Sequence, residues 1–200
     1  MATSASTTAS TKEALLAAAR EEFAEHGIAG ARVDRIARLA GVNKERIYGY
    51  FGNKEKLFDA VMKDAMDELT EVNALLGDDP VQYVAGLFDH YQEHPDLLRL
   101  LMWEALHDRS GHLPDQQWRV DRCHDKVASL AAHLGQEPSA EAGRTMLSLM
   151  GLVLMPMALP QLAELMGAQM DGPESTARMR EHATAFARAF LECGKTAGPS

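Results

Sequence analysis

The sequence predicts an all-α protein, and three observations carry that prediction. Apolar residues recur at helical spacing through most of the 200 residues, no alternating strand pattern interrupts them, and residues that start and stop helices punctuate them. Composition agrees. The chain is 46% hydrophobic and 24% charged, rich in Leu, Ala and Met, with only 8 prolines, which suits a globular helical chain rather than a disordered one.

About nine helices follow in order. Ser10-Thr11-Lys12-Glu13 has the spacing of a capping box, after which Leu15, Leu16, Ala19 and Phe23 recur on one face and Gly27 stands where a helix would end. A short second helix spans about Asp34 to Leu39, with Ile36, Ala37 and Ala40 inward. Asn43 caps a third over Lys44 to about Phe51. Gly52-Asn53 interrupts the chain and opens a long fourth helix over Lys54 to Leu76, closed by Gly77. Asp79-Pro80 starts the fifth, striped by Val81, Val84, Phe88 and Tyr91.

Pro95-Asp96 starts the sixth, LLRLLMWEALH, apolar almost all round and therefore expected to be buried. A loop at Ser110–Pro114 precedes a seventh helix from about Asp115 to Leu134. The eighth covers about Ser139 to Met166, kinked near Pro156 and Pro160, and the ninth starts near Pro173.

The eighth helix holds an uncharged run from Thr145 to Ala163, close to the length of a membrane span. Its two prolines, Ser148 and Gln161 favour a helix buried in the protein or against a partner subunit, with no membrane partner. Cys123 and Cys193 stand far apart and outside any CxxC arrangement, which fits a reducing, cytoplasmic setting. The opening MATSASTTAST has neither a basic nor an apolar leader region and reads as a flexible arm.

Charge is unevenly placed. Residues 1–63 hold ten basic and eight acidic side chains, net +2, and the remainder is net −11, giving −9 for the chain. Such asymmetry points to a small head that binds a polyanion, carried on an acidic body; a solvated charged face is the plainer alternative. The second and third helices, joined by a tight turn at Gly41, form a helix-turn-helix layout. Ala37 lets the next helix approach, Gly41 takes the positive φ of the turn, and Val42 and Ile47 anchor the third helix. Lys44, Glu45, Tyr48 and Gly49 then face outward, able to meet phosphates and base edges in a major groove.

The literal residues sharpen this. Residues 12–58, through FAEHGIAGARVDRIARLAGV, IYGYF and NKEKLF, resemble the tetracycline-repressor (TetR) family of bacterial transcriptional regulators. The match keeps order and spacing over about a quarter of the chain. It implies a homodimer that places its third helix in the groove of each half of a double-stranded DNA operator and leaves DNA when a small-molecule effector binds the C-terminal body.

By that resemblance Tyr48 and Lys54 meet phosphate, Lys44 and Glu45 face bases, and Arg32, Val33, Asn43 and Arg46 complete the DNA-facing set. Two positions depart from the pattern. Arg32-Val33-Asp34 stands where a capping Thr or Ser is usual, so Asp34 is left to cap and Arg32 to supply charge. Arg46 replaces a small residue and either adds a backbone contact or pairs with Glu45 or Asp34. The implied organisation is an arm over 1–11, a helix-turn-helix domain over 12–53, a connecting helix over 54–77 and a ligand-binding and dimerisation domain over 78–200.

In the body, Phe88, Tyr91, Met102, Trp103, Leu106, Trp118, Met146, Met150 and Met155 supply either ordinary core or a tolerant apolar pocket. Met157, Leu162, Met179, Ala183, Phe186 and Phe190 form sparsely charged stripes suited to a four-helix interface between subunits. Glu104 faces a cationic ligand or pairs with His107 or an arginine. His90 and His94, or Cys123, offer a metal-sensor alternative, but a carboxylate-bridged di-iron centre needs a second Glu-x-x-His. Neither a phosphate-binding glycine loop nor a Gly-x-Ser-x-Gly elbow nor a His-Glu-x-x-His motif occurs, so the sequence predicts no enzyme, resident metal or cofactor.

Overall fold

The structure, a computed structural model, describes residues 3–75, 79–107 and 113–196. Among them lie ten α-helices and no strand, so the all-α reading holds. They are α1 (Thr3–Gly30), α2 (Val33–Leu39), α3 (Lys44–Phe51), α4 (Lys54–Leu75), α5 (Pro80–Glu93), α6 (Pro95–Leu106), α7 (Gln116–His133), α8 (Ala140–Ala158), α9 (Pro160–Leu165) and α10 (Pro173–Thr196). The helix end expected at Leu76-Gly77 and the loop residues 110–112 lie outside the described residues.

The chain divides into two compact units, Met1–Glu68 with Pro95–Pro114, and Leu69–His94 with Asp115–Ser200. The division falls inside α4, and α6 clusters with the N-terminal helices rather than with the C-terminal ones that the sequence groups it with.

In the first unit, helix runs from Thr3, so the expected arm is helical from there and the Ser10–Glu13 box lies within α1. Leu15, Ala19 and Phe23 are buried on one face of α1, and Ile36, Ile47, Leu57, Phe58 and Met62 are buried in the same unit. Phe23 and Phe58 meet edge to face at 5.2 Å, and each such buried side chain contributes roughly 1.5–3 kcal/mol. Arg20 ties three helices together. It donates to both oxygens of Glu68 on α4, at 2.9 and 2.7 Å, and to Asp96 on α6.

Gly27 turns α1 with φ 66 and ψ 178, a backbone region nearly exclusive to glycine. The indole of Trp103 fills the space a side chain would need there, since a Cβ on Gly27 would lie 2.8 Å from its ring. Its Nε1 donates to the Ala24 carbonyl at 3.2 Å, satisfying an acceptor left over where the helix breaks. The expectation that α6 is buried all round is therefore corrected. Leu97, Leu98 and Leu100 are buried, but Met102, Trp103 and Leu106 reach the surface of this unit.

In the second unit, α5 packs against α8 and α10, and α7 against α8. Asp79 caps α5 by accepting from the Val81 N–H at 2.8 Å, with Pro80 at the first helical position. Arg180 of α10 grips Asp89 of α5 with two bonds of 2.6 and 2.7 Å. The single kinked helix expected over 139–166 is two helices. Pro156 is tolerated inside α8, but Leu159 leaves the helical region at φ −125, ψ 62, and Pro160 begins α9. A residue before proline is pushed out of the α region by the ring, which explains why the second proline breaks what the first only perturbs.

Candidate nucleic-acid interface

The first unit builds an exposed helix on a rigid base. The α2–α3 turn forms as its residues dictate: Gly41 has φ 67, the Val42 N–H donates back to Ala37 O at 2.9 Å, and Asn43 caps α3 by accepting from the Arg46 N–H at 3.0 Å. Ile47 is 1% exposed and pins α3 to the core. Turned away from that anchor, Glu45, Arg46, Tyr48 and Gly49 are exposed and Lys44 half-exposed.

A buried carboxylate that sequence reasoning missed holds the base. Glu22 of α1 is 3% exposed and accepts from the Arg32 backbone N–H at 2.7 Å and from Arg35 Nε at 2.9 Å. It thereby caps α2 from another helix. Asp34 does not cap, because it sits inside the first turn of α2 and its N-cap residue, Arg32, makes no side-chain cap. Burial alone would raise the Glu22 pKa, but the hydrogen bonds from Arg35 and the Arg32 N–H outweigh it and hold the carboxylate below its ordinary range. The signal was present only as a glutamate near the apolar face of the first helix.

The predicted DNA-facing residues separate. Val33 is 8% exposed and belongs to the core, because it opens α2 on its inner face. Lys44 Nζ lies 2.9 Å from Asp34 Oδ1, and that hydrogen bond raises its pKa, so the ammonium stays charged. Lys54 Nζ points to carbonyls at and just past the end of α1, Ala29 O at 3.5 Å and Ala31 O at 3.3 Å, which leaves one of its three donors for another acceptor. Arg46 pairs with neither Glu45 nor Asp34. Among the described residues it is engaged in no ion pair, and the same holds for Arg32 and Arg38, so three exposed guanidinium groups stand uncompensated on α2, α3 and their approach.

Residues 15–61 match the family profile described as bacterial regulatory proteins, tetR family. Residues 79–188, more than half of the chain, match the tetracyclin repressor-like C-terminal domain. The chain belongs to the TetR family. It is similar to the HTH-type transcriptional repressor SCO4008 of Streptomyces coelicolor, 43% identical over 127 residues, 64% of this chain and 65% of that protein. It is also similar to the repressor NicS of Pseudomonas putida, 36% identical over 104 residues, 48% of this chain and 49% of that protein. The chain thus matches 65% and 49% of the length of these two curated relatives.

A crystal structure of the transcriptional regulator SCO4942 of Streptomyces coelicolor superposes with a TM-score of 0.72 at 34% identity, covering 90% of this chain and 97% of that one. The chain thus carries the helix-turn-helix of a family of transcriptional regulators that bind DNA.

The residues proposed to line a ligand pocket fall into two groups. Phe88, Tyr91 and Met146 are buried in the second unit, with Trp118 and Met150 half-buried there. Met102, Trp103 and Leu106 instead border a groove of about 680 Å³ within the first unit, beside Glu21, Glu25 and Asp96. Glu104 is buried in that unit.

The residues of the expected subunit interface also divide. Phe186 and Phe190 are 54% and 46% exposed, Leu162 is exposed and Met157 and Met179 half-buried. Ala183 is 2% exposed, because with Ala187 and Leu191 it forms the inner face of α10. The His90 and His94 rings meet at a tilt of 41° with centroids 4.7 Å apart, and no group of three or more potential metal-ligating His, Cys, Asp or Glu occurs among the described residues. None of the described helices is long and apolar enough to cross a membrane.

Proposed function

We propose that this TetR-family chain is a dimeric repressor whose α3 reads a near-palindromic operator and which releases it on binding a small, mostly apolar effector. The observation that carries the DNA reading is α3 itself, capped by Asn43, pinned by Ile47 and left with Lys44, Glu45, Arg46 and Tyr48 on its outer side. Lysine or arginine can donate to guanine, and Glu45 can accept from cytosine N4. Tyr48, Arg32 and the free donor of Lys54 suit phosphates. Half-sites would lie about one helical turn apart, ~34–36 Å, or a multiple of it. Repression accords with the names of the two curated relatives.

Support for the dimer comes from the second unit. Leu159, Leu162, Met166, Phe186 and Phe190 expose a large apolar surface, and the break at Pro160 leaves a groove of about 770 Å³ among α8, α9 and the start of α10. Exposed apolar area of this kind is characteristic of association surfaces. Phe186→Glu should yield monomers by light scattering; an unchanged dimer mass would remove α10 from the interface.

A mobility-shift titration on the DNA flanking the chain's own gene tests the reading. Arg46→Ala with Tyr48→Ala should weaken binding by about ten-fold or more and lower the salt slope by about 0.9 for each phosphate that is no longer neutralised. A shift that both substitutions leave untouched would exclude α3 as the reader.

A further inference from the structure

We propose that Tyr83 of α5 and Lys126 of α7 form the polar end of the effector site in the second unit, and that the ligand is an apolar molecule ending in a carboxylate. This rests on the effector reading above and assigns its chemistry.

Both residues lack a partner that a single ligand group could provide. Tyr83 is 7% exposed, and its hydroxyl is buried with no hydrogen-bond partner among the described residues. A buried polar group left unpaired is uncommon in folded proteins and calls for a reason. Lys126 is half-buried, with its Nζ 5.5 Å from the centre of the Tyr83 ring. Among the described residues no carboxylate pairs with it. Acid is not scarce, since the chain carries 29 acidic residues against 20 basic ones. Burial lowers the pKa of Lys126, only partly offset by Cys123, as for an ammonium without a counter-charge.

One carboxylate resolves both shortages. One oxygen can accept from the Tyr83 hydroxyl and the other from the Lys126 ammonium. Lys126 now covers the Tyr83 ring by a cation–π contact, and its flexible stem lets it swing aside and close over an entering acid. The apolar remainder would enter by parting the core around Leu87, Phe88 and Tyr91, which are buried on the same helix. An amine would meet Lys126 with like charge, and a neutral apolar molecule would leave both groups unpaired.

Calorimetry on the full-length protein, with operator release measured in parallel, tests this with n-alkanoates from hexanoate to decanoate and with phenylbutyrate. Their amides and amines serve as matched neutral and cationic probes. Acids should bind in preference to amides, and amines least. Lys126→Met should weaken the acids by about ten-fold or more and leave the amides unchanged, the size of effect expected for a charge-assisted hydrogen bond. Tyr83→Phe should weaken the acids several-fold with no loss of thermal stability, because it deletes a hydroxyl that bonds nothing among the described residues.

Equal acid affinity in wild type and both variants, or tighter binding of amines, would overturn the assignment. If no acid binds but an apolar cell extract releases the operator, the carboxylate assignment fails while the effector reading stands. If the extract also leaves the operator bound, both fail.

Discussion

The two units treat their interior polar groups in opposite ways. In the first, Glu22 is saturated by the Arg32 N–H and by Arg35, and Arg20 is gripped by Glu68 and Asp96. In the second, the Tyr83 hydroxyl is buried unpaired and Lys126 stands half-buried without a carboxylate among the described residues. A fully satisfied network rigidifies what it holds, whereas an unsatisfied one raises the energy of the empty state. The contrast accords with the proposed division of labour, in which the first unit presents one fixed surface and the second receives an effector.

The largest effect expected within this comparison comes from breaking the saturated network. Glu22→Ala leaves the Arg32 N–H uncapped and Arg35 without its buried partner, and should cost about 3 kcal/mol of first-unit stability. The protein has two tryptophans, so a Trp118→Phe background leaves Trp103, in the first unit, as the reporter during denaturant unfolding. A loss below about 1 kcal/mol would show the network to be incidental.

The pH dependence has a definite sign. Because the folded-state pKa of Glu22 is depressed, its contribution is complete above the unfolded value, about 4.3, and is lost as pH falls through the folded value. Acidification below that range should therefore destabilise wild type more steeply than Glu22→Ala.

In both units the sequence made the same kind of feature legible, for a physical reason. Caps and turns are local: Asn43, Gly41, Asp79-Pro80 and Ser139 act on backbone groups within a few residues, and each does so in the structure. Glu22 was missed because its partners lie ten and thirteen residues away, on another helix. Helical periodicity placed Met102, Trp103 and Leu106 on one helix but could not say which unit that helix joins. Ala183 and Phe186 looked alike as members of one apolar stripe, yet the stripe has an inner and an outer edge, which only packing against α5 and α8 distinguishes.

A smaller effect should come from Gly27, where the first unit uses shape rather than charge. Gly27→Ala introduces a Cβ 2.8 Å from the Trp103 ring at a φ of 66 and ψ of 178 that L residues avoid. Strain and displacement together should cost about 2 kcal/mol. Removing the ring separates the two causes. In a Trp103→Leu background the clash is gone and only the backbone penalty remains, so the Gly27→Ala cost should fall to about 1 kcal/mol. An undiminished cost would place all of it in the backbone. A reduced cost would show that the Trp103 indole, held by its bond to Ala24, excludes a side chain at the bend as well as the backbone does.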